Sequence, residues 1–325
     1  MNCLCCGSPL FDSAGNEELS SGWHASCVKK FFHTGKLPEI DISEESVLRI
    51  VTESSRKGYT VPGVQKKLSL HLEAGTQPRL TVVNYPIGFI LKPQTTEFHA
   101  LPEAEYLVMQ LAAATGIRTV PFALMRMPAD QDHFGYITKR IDRILPNNKT
   151  GQTQMLAMED FCQLDGRLTQ DKYRGSYERC AKMVTKYSMN PGLDLSELFM
   201  RIAFSYAIGN SDMHLKNFSL IETKSGSQSY VLSAAYDMLP TNVVMPEDTE
   251  QLALTLNGKK SNLHRSDFMT FADTSGIPAK SAEKMIKEIA SMQPVYLAMC
   301  RCSYLPESMK KSLEKLITER TLEFM

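Results

Sequence analysis

Gly209-Asn210-Ser211-Asp212-Met213-His214-Leu215-Lys216-Asn217-Phe218-Ser219 is the densest polar constellation in the chain, and it follows an apolar-faced helix. Leu195, Leu198, Phe199, Ile202, Ala203 and Tyr206 recur at helical spacing, so a helix is predicted over residues 194–208. Its N-cap would be Asp194, with Glu197 three residues on and Gly209 as the stop. Strands predicted over residues 218–221 and 230–232, joined by Lys224-Ser225-Gly226-Ser227, return the chain to Asp237. Two carboxylates and an amide are thereby gathered at one point. Oxygen donors of this kind suit Mg²⁺, which takes one or two carboxylates and completes its shell with water and phosphate oxygens. Asn217 and Asp237 would be the ligands, leaving Asp212, five residues before Asn217, to accept a proton. A capped helix end with an Asx-rich turn would account for Asn210 but not for Asp237.

This order is that of a protein-kinase catalytic loop followed by its metal-binding aspartate. The first half of the chain supplies what such a site needs for nucleotide phosphates. After a polar helical stretch from Ser43 come Tyr59-Thr60-Val61-Pro62-Gly63-Val64-Gln65-Lys66-Lys67 and a hairpin alternating through Leu68, Leu70, Leu72, Leu80 and Val82. A third apolar run, Gly88-Phe89-Ile90-Leu91, delivers Lys92. A helix is predicted over residues 102–116, with Glu105 one step off its apolar stripe, where it can turn inward to a strand lysine. Strands over residues 119–125 and 134–138 lead into Lys139-Arg140-Ile141-Asp142-Arg143. Five short strands and one helix make a small lobe, and Pro146-Asn147-Asn148-Lys149-Thr150-Gly151 marks a polar crossing. From Met155 onward helices dominate. Singly, a strand lysine is usually a solvated edge residue, and Gly63 belongs to no Gly-x-Gly-x-x-Gly or P-loop pattern. In kinase order, the signals support one another.

The 325 residues carry 36 Lys+Arg against 36 Asp+Glu and are 43% apolar, which excludes a disordered or collagen-like chain. A net charge of zero supplies no general attraction to phosphate backbones, so no direct nucleic-acid binding by this chain alone is expected. No stretch approaches the roughly 18 apolar residues of a membrane helix, and the start lacks a signal-peptide layout. A cytoplasmic protein with reduced thiols and no membrane partner is therefore expected. Four of the eight cysteines fall in the first 27 residues. Cys3-x-x-Cys6 and His24-Ala25-Ser26-Cys27 form two ligand pairs of the kind tetrahedral Zn²⁺ uses, with Cys5 competing for one place. A metal-free, thiol-rich cap packed through Trp23 and Phe31 is the alternative.

The chain resembles the HipA-like serine/threonine kinases of bacterial toxin–antitoxin systems. The resemblance runs from about residue 55 to 265. It rests on Thr60 to Lys67, Phe89 to Pro93, Pro102-Glu103-Ala104-Glu105-Tyr106, Lys139 to Arg143, Met158 to Gln163, Gly209 to Ser219, Tyr236-Asp237 and Leu254 to Lys260. It implies an α+β, two-lobed protein-kinase-like fold: a Cys/His-rich segment (residues 1–42), a small strand-rich N-lobe (43–145) and a mainly helical C-lobe (146–325). It also implies ATP- and Mg²⁺-dependent phosphorylation of a protein serine or threonine. Asp212 would be the catalytic base and His214 its brace, with Asn217 and Asp237 on Mg²⁺. The nucleotide would be met by Gly63, Val64 and Gln65, by Lys92 with Glu105, by the Lys139, Arg140 and Ile141 backbone near adenine, and by Lys216. Autophosphorylation would fall on Thr60, a second serine of some short members being Pro62 here. Only about 55 residues precede the glycine loop, as in the short, HipT-type toxins. The implied partners are a HipB-like helix-turn-helix antitoxin, a small HipS-like protein supplying the missing N-subdomain, and an aminoacyl-tRNA synthetase as substrate, whose phosphorylation would inhibit translation. The competing expectations are an inactive kinase-shaped regulator that binds nucleotide and antitoxin, and a small-molecule phosphotransferase.

Overall fold

Apolar residues alternate along the strand Leu68–Glu73 and run together along Phe134–Lys139; such strands build a sheet, and a 14-residue helix buries an apolar stripe. The computed structural model describes residues 1–11, 15–41, 67–83, 88–128, 133–144 and 153–325. Thr60, Gly63, Val64 and Gln65, the helix expected from Ser43 and the crossing at 146–151 lie outside the described residues. The chain divides into two units, Met1–Tyr106 with Val120–Leu145, and Leu107–Thr119 with Pro146–Met325.

The first unit holds a sheet of β1 (Glu39–Asp41), β2 (Leu68–Glu73), β3 (Arg79–Val83), β4 (Phe89–Pro93), β5 (Phe122–Arg126) and β6 (Phe134–Lys139). Their spatial order is β1-β3-β2-β4-β6-β5. All pairings are antiparallel except β1 with β3, which places Ile40 opposite Leu80. The five strands read from alternation are present, although β5 begins at Phe122 rather than at residue 119. The sixth, β1, has one buried residue in three and so carries no alternation to read. Leu68, Leu70, Leu80, Phe89 and Leu91 are buried on these strands. Gly135 in β6 sits in close packing: a Cβ there would lie 2.8 Å from Met127 Sδ and 2.9 Å from Leu91 Cδ1, so one of those side-chain ends would have to shift. The N-terminal segment reaches both edges of this sheet. The Leu4 carbonyl accepts the Leu124 N–H of β5 (2.9 Å), and β1 closes the opposite side.

The helix Leu101–Ala114 buries Ala104, Leu107, Val108, Leu111 and Ala112, the stripe read from the sequence. In the second unit the helix Pro191–Ile208 is central, and every residue from Arg201 to Ile208 is buried. A helix buried all round in this way is a core helix rather than a surface one. Stacked or edge-on rings surround it: Phe199 on Phe271 (6.1 Å), Phe204 on Tyr296 (6.0 Å), and Tyr206 on Phe268 and Phe324 (both 5.2 Å).

Its start corrects the sequence reading. The helix begins at Pro191 with Asn190 as cap, and Asp194 lies inside it. Proline fits the first helical position, where no N–H is needed. Asp194 is instead buried and joins elements: its carboxylate accepts the Leu232 N–H (2.7 Å) and the Ser188 hydroxyl (2.6 Å). Glu197 pairs with the fully buried Arg201, whose guanidinium also donates to the Ser233 carbonyl (2.7 Å). The strands Ser219–Glu222 and Tyr230–Leu232 pair antiparallel, and an unexpected third, Met158–Asp160, joins them in a region expected to be helical.

A loop-to-helix junction closes this unit. The buried Asp267 carboxylate accepts the His264 N–H (2.9 Å), Asn257 Nδ2 (3.0 Å) and Lys259 Nζ (2.9 Å). Burial alone would raise its pKa, but the His264, Lys259 and Asn257 contacts outweigh burial and hold the carboxyl below its ordinary value. A depressed carboxylate stabilises the fold above its unfolded pKa of about 3.9, and that contribution is lost as pH falls through the lower folded value. Asp267→Asn should therefore destabilise by about 1–3 kcal/mol at pH 7. The gap in urea midpoint should shrink below about pH 4, and a gap unchanged at acid pH would refute this account.

Candidate active site

The loop after the central helix is held from below. Gly209, at φ 72°, ends the helix where a Cβ would meet Leu316 Cδ1 at 2.8 Å. Buried Asn210 accepts the Asp212 N–H on its side-chain oxygen (3.2 Å). The Ser211 hydroxyl donates to Asp248 (2.5 Å), and Asn242 Nδ2 donates to Ser211 Oγ (3.3 Å), the Asp248 carbonyl (2.9 Å) and the Glu250 carbonyl (3.0 Å). Asp212 therefore emerges from a braced turn rather than a loose one.

The loop chemistry is local. The Asp212 carbonyl accepts Asn217 Nδ2 (2.8 Å), which commits the Asn217 amide N–H and leaves its carbonyl oxygen as the acceptor end. The Asp212 carboxylate accepts the Tyr173 hydroxyl (2.5 Å), with His214 Nε2 at 3.9 Å from the same oxygen. His214 is buried, edge-on to the Tyr173 ring (5.0 Å). Burial and then the Asp212 charge push the Tyr173 phenol up, so Tyr173 stays a donor.

The two strands after the loop bring the chain back as their spacing predicted. The Tyr236 hydroxyl contacts the Lys216 carbonyl (3.1 Å) and Ser219 Oγ (2.5 Å), pinning the residue before Asp237 to the residue before Asn217. Asp237 has φ 55°, a left-handed conformation that aspartate tolerates better than most residues. Lys216, read as a nucleotide contact, has its ammonium on Asp160 (2.6 Å). Asp160 also caps the helix Phe161–Leu164 through a capping box with Gln163. Asn217 and Asp237 supply one amide oxygen and one carboxylate on a hydrogen-bonded frame, a donor set that fits a hard divalent cation such as Mg²⁺.

In the small unit, Lys92 (2% exposed) and Glu105 (0% exposed) form a buried ion pair, so Glu105 does turn inward from the helix flank. Lys92 Nζ also lies 5.2 Å from the Tyr136 ring centroid. The Lys139 ammonium sits over the Phe31 ring (5.5 Å) and the Phe89 ring (6.0 Å), 3.4 Å from His33 Nε2, and burial lowers its pKa. Arg140 grips Asp142 with two bonds (3.0 and 2.7 Å), and Arg143 joins the same carboxylate (2.6 Å). Ile141 is half-buried between them. Near the N-terminus, Cys3, Cys6, His24 and Cys27 converge, with one donor atom of each within 4.8 Å of the others. Tyr173 was absent from the sequence reading, and Asp160 and Tyr236 stood there only inside quoted segments, with no role. The first reaches Asp212 across 39 residues, a separation no local pattern signals.

Residues 59–295 match the family described as HipA-like C-terminal domain. A Haemophilus influenzae protein provisionally named a kinase is 25% identical over 315 residues, covering 90% of this chain and 89% of its own length. The kinase-named protein Y4mE of Sinorhizobium fredii is 30% identical over 67% of this chain, which spans about half (51%) of that protein. The serine/threonine-protein kinase toxin HipA of Shewanella oneidensis is 24% identical, covering 81% of this chain and 64% of its own. Among solved structures, the complex of Shewanella oneidensis HipA and HipB with operator DNA aligns with a TM-score of 0.69 at 18% identity, over 86% of this chain and 70% of that one. The Helicobacter pylori proinflammatory kinase CtkA aligns with a TM-score of 0.50 at 14% identity, over 72% of this chain and 86% of that one. The shared fold is α+β and kinase-like.

Proposed function

The chain belongs to the HipA-like C-terminal domain family, and from that premise we propose that it is an ATP- and Mg²⁺-dependent protein serine/threonine kinase acting as a toxin. One observation carries the reading: a helix-capped loop presents Asp212, and its carbonyl holds Asn217 while Tyr236 brings Asp237 back to the same segment. We assign the segments 1–42, 43–145 and 146–325 as Cys/His-rich segment, N-lobe and C-lobe.

Magnesium-bound ATP supplies the transferable phosphoryl group, with the cation offsetting its charge. Asn217 and Asp237 would hold the metal. Lys92, fixed by Glu105, meets the phosphates, helped by the Gly63-Val64-Gln65 backbone, while the Lys216 ammonium is held by Asp160. The Lys139 to Ile141 backbone borders the base, since the Arg140 guanidinium is committed to Asp142. Asp212 orients the substrate hydroxyl and accepts its proton, in the acceptor position that the Tyr173 hydroxyl takes here. His214 braces the loop. Thr60 is the autophosphorylation site, and a phosphate there adds up to about −2 charge to the glycine loop.

The HipB bound in the Shewanella structure supports a HipB-like antitoxin as this chain's binding protein in the cytoplasm, and a HipS-like protein would complete the N-subdomain. The substrate class is an aminoacyl-tRNA synthetase. The test is incubation of pure protein with ATP and Mg²⁺ in a bacterial lysate, followed by phosphopeptide mass spectrometry. A serine or threonine phosphopeptide on a synthetase, absent with Asp212→Asn, is the expected outcome. Label in a metabolite pool, or ATP binding with no transfer, would replace it by the small-molecule or regulator reading.

A further inference from the structure

We infer that Cys3, Cys6, His24 and Cys27 form a structural zinc site that fastens the N-terminal segment to the sheet of the small unit. The inference stands apart from the kinase reading and uses none of its residues.

The donor geometry fits the ion. Zinc with Zn–S near 2.3 Å and Zn–N near 2.0 Å in a tetrahedron separates nitrogen from sulfur by about 3.5 Å and sulfur from sulfur by about 3.8 Å. His24 Nδ1 lies 3.5 Å from Cys6 Sγ and 3.9 Å from Cys27 Sγ. One donor atom from each of the four residues falls within 4.8 Å of the others. Cys5, which the sequence left as a competitor, stands outside the converging set.

The surrounding bonds are those a metal knuckle needs. The Gly7 N–H turns back to the Cys3 carbonyl (2.9 Å), and Gly7 adopts φ 73°, a conformation glycine takes without strain. The His24 N–H donates to Cys3 Sγ (3.4 Å), the kind of contact that stabilises a thiolate. His24 Nε2 lies 3.3 Å from the Pro9 carbonyl, which as acceptor fixes the proton on Nε2 and presents Nδ1 to the sulfurs. Three thiolates and one imidazole leave no open position, so the site is closed and structural rather than hydrolytic.

The knuckle is docked, not pendant. The Tyr106 hydroxyl donates to the Cys3 carbonyl (3.2 Å), and the Leu4 carbonyl takes the Leu124 N–H at the β5 edge. From the helix Ala25–Phe32, which opens one residue after His24, Phe31 and Phe32 pack on Phe89 of β4 at 6.0 and 5.4 Å. Covering a sheet edge with bonded chain removes a template for unwanted strand pairing.

Elemental analysis of the full-length protein, purified under reducing conditions and again after incubation with zinc and desalting, tests the site. About one zinc per chain is expected. Cys6→Ser and Cys27→Ser should lose it, whereas Cys5→Ser and His24→Cys should keep it. Cobalt added to the metal-stripped wild-type chain should give the intense visible bands of a tetrahedral thiolate site, a readout that survives if a variant fails to fold. Stripping should also increase hydrogen exchange in residues 1–41 and in β5. A wild-type chain that takes up neither metal, or zinc retained in Cys6→Ser and lost in Cys5→Ser, would overturn the assignment.

Discussion

Asp212→Asn is expected to slow phosphotransfer by about 10²–10⁴-fold, the usual contribution of a positioned general base. Affinity for ATP and the unfolding midpoint should change little. The substitution is nearly isosteric and preserves what the loop needs: the residue 212 carbonyl still holds Asn217, and its N–H still reaches Asn210. What it removes is the carboxylate's capacity to take a proton, because an amide oxygen accepts a hydrogen bond without accepting the hydrogen. Single-turnover phosphorylation with a fluorescent-nucleotide titration separates chemistry from binding. Full transfer by the variant would remove Asp212 from the chemistry. Lost nucleotide binding would mean that its role is structural.

The second large effect concerns Lys92. Cutting one partner from a buried ion pair strands the other charge, which typically costs about 3–5 kcal/mol. Lys92→Met should therefore lower stability by about that amount, since Glu105 is fully buried. Combining it with Glu105→Leu should recover most of the loss, because two apolar side chains need no charge compensation. Activity should not return with stability. That dissociation is the diagnostic result: a pair needed only for folding would let the double variant phosphorylate its substrate, whereas a lysine that meets phosphate would leave it folded and inactive. Urea unfolding and phosphotransfer on all three variants supply the comparison. A neutral effect of Lys92→Met on stability would contradict the buried geometry.

Legibility from sequence followed the range of the interactions. The loop from Gly209 to Asn217 could be read because its chemistry is packed into nine residues and its helix carries an uninterrupted apolar face. Lys92 and Glu105 were readable from their order and from a stripe that left Glu105 on its flank. Asp194 misled because a local capping motif was present, but a tertiary bond to Leu232 took the carboxylate and Pro191 started the helix earlier. The strands β1 and Met158–Asp160 were missed because three residues cannot display a period. The roles of Tyr173 and Asp160 were invisible for a different reason: their partners are defined by folding, across 39 and 56 residues. The four N-terminal donors, Cys6 rather than Cys5 among them, were listed by spacing, and the same four converge in the fold.

The N-terminal segment's hold on both sheet edges has a consequence in time. It is made before Phe89, Tyr106 and Leu124, which receive it. At about 5–20 residues per second, the roughly hundred residues between Cys27 and Leu124 take about 5–20 s to appear. Until β4 is made, its aromatic face has no strand to cover. Contacts so distant in the chain also form slowly. The knuckle is the exception, since all its ligands lie within the first 27 residues. The nascent chain can close it at once, shielding three thiols while the segment waits for the strands it will border. Docking of the knuckle thus waits on strands made after it, and a chain stalled before β4 would display an assembled knuckle with nowhere to dock.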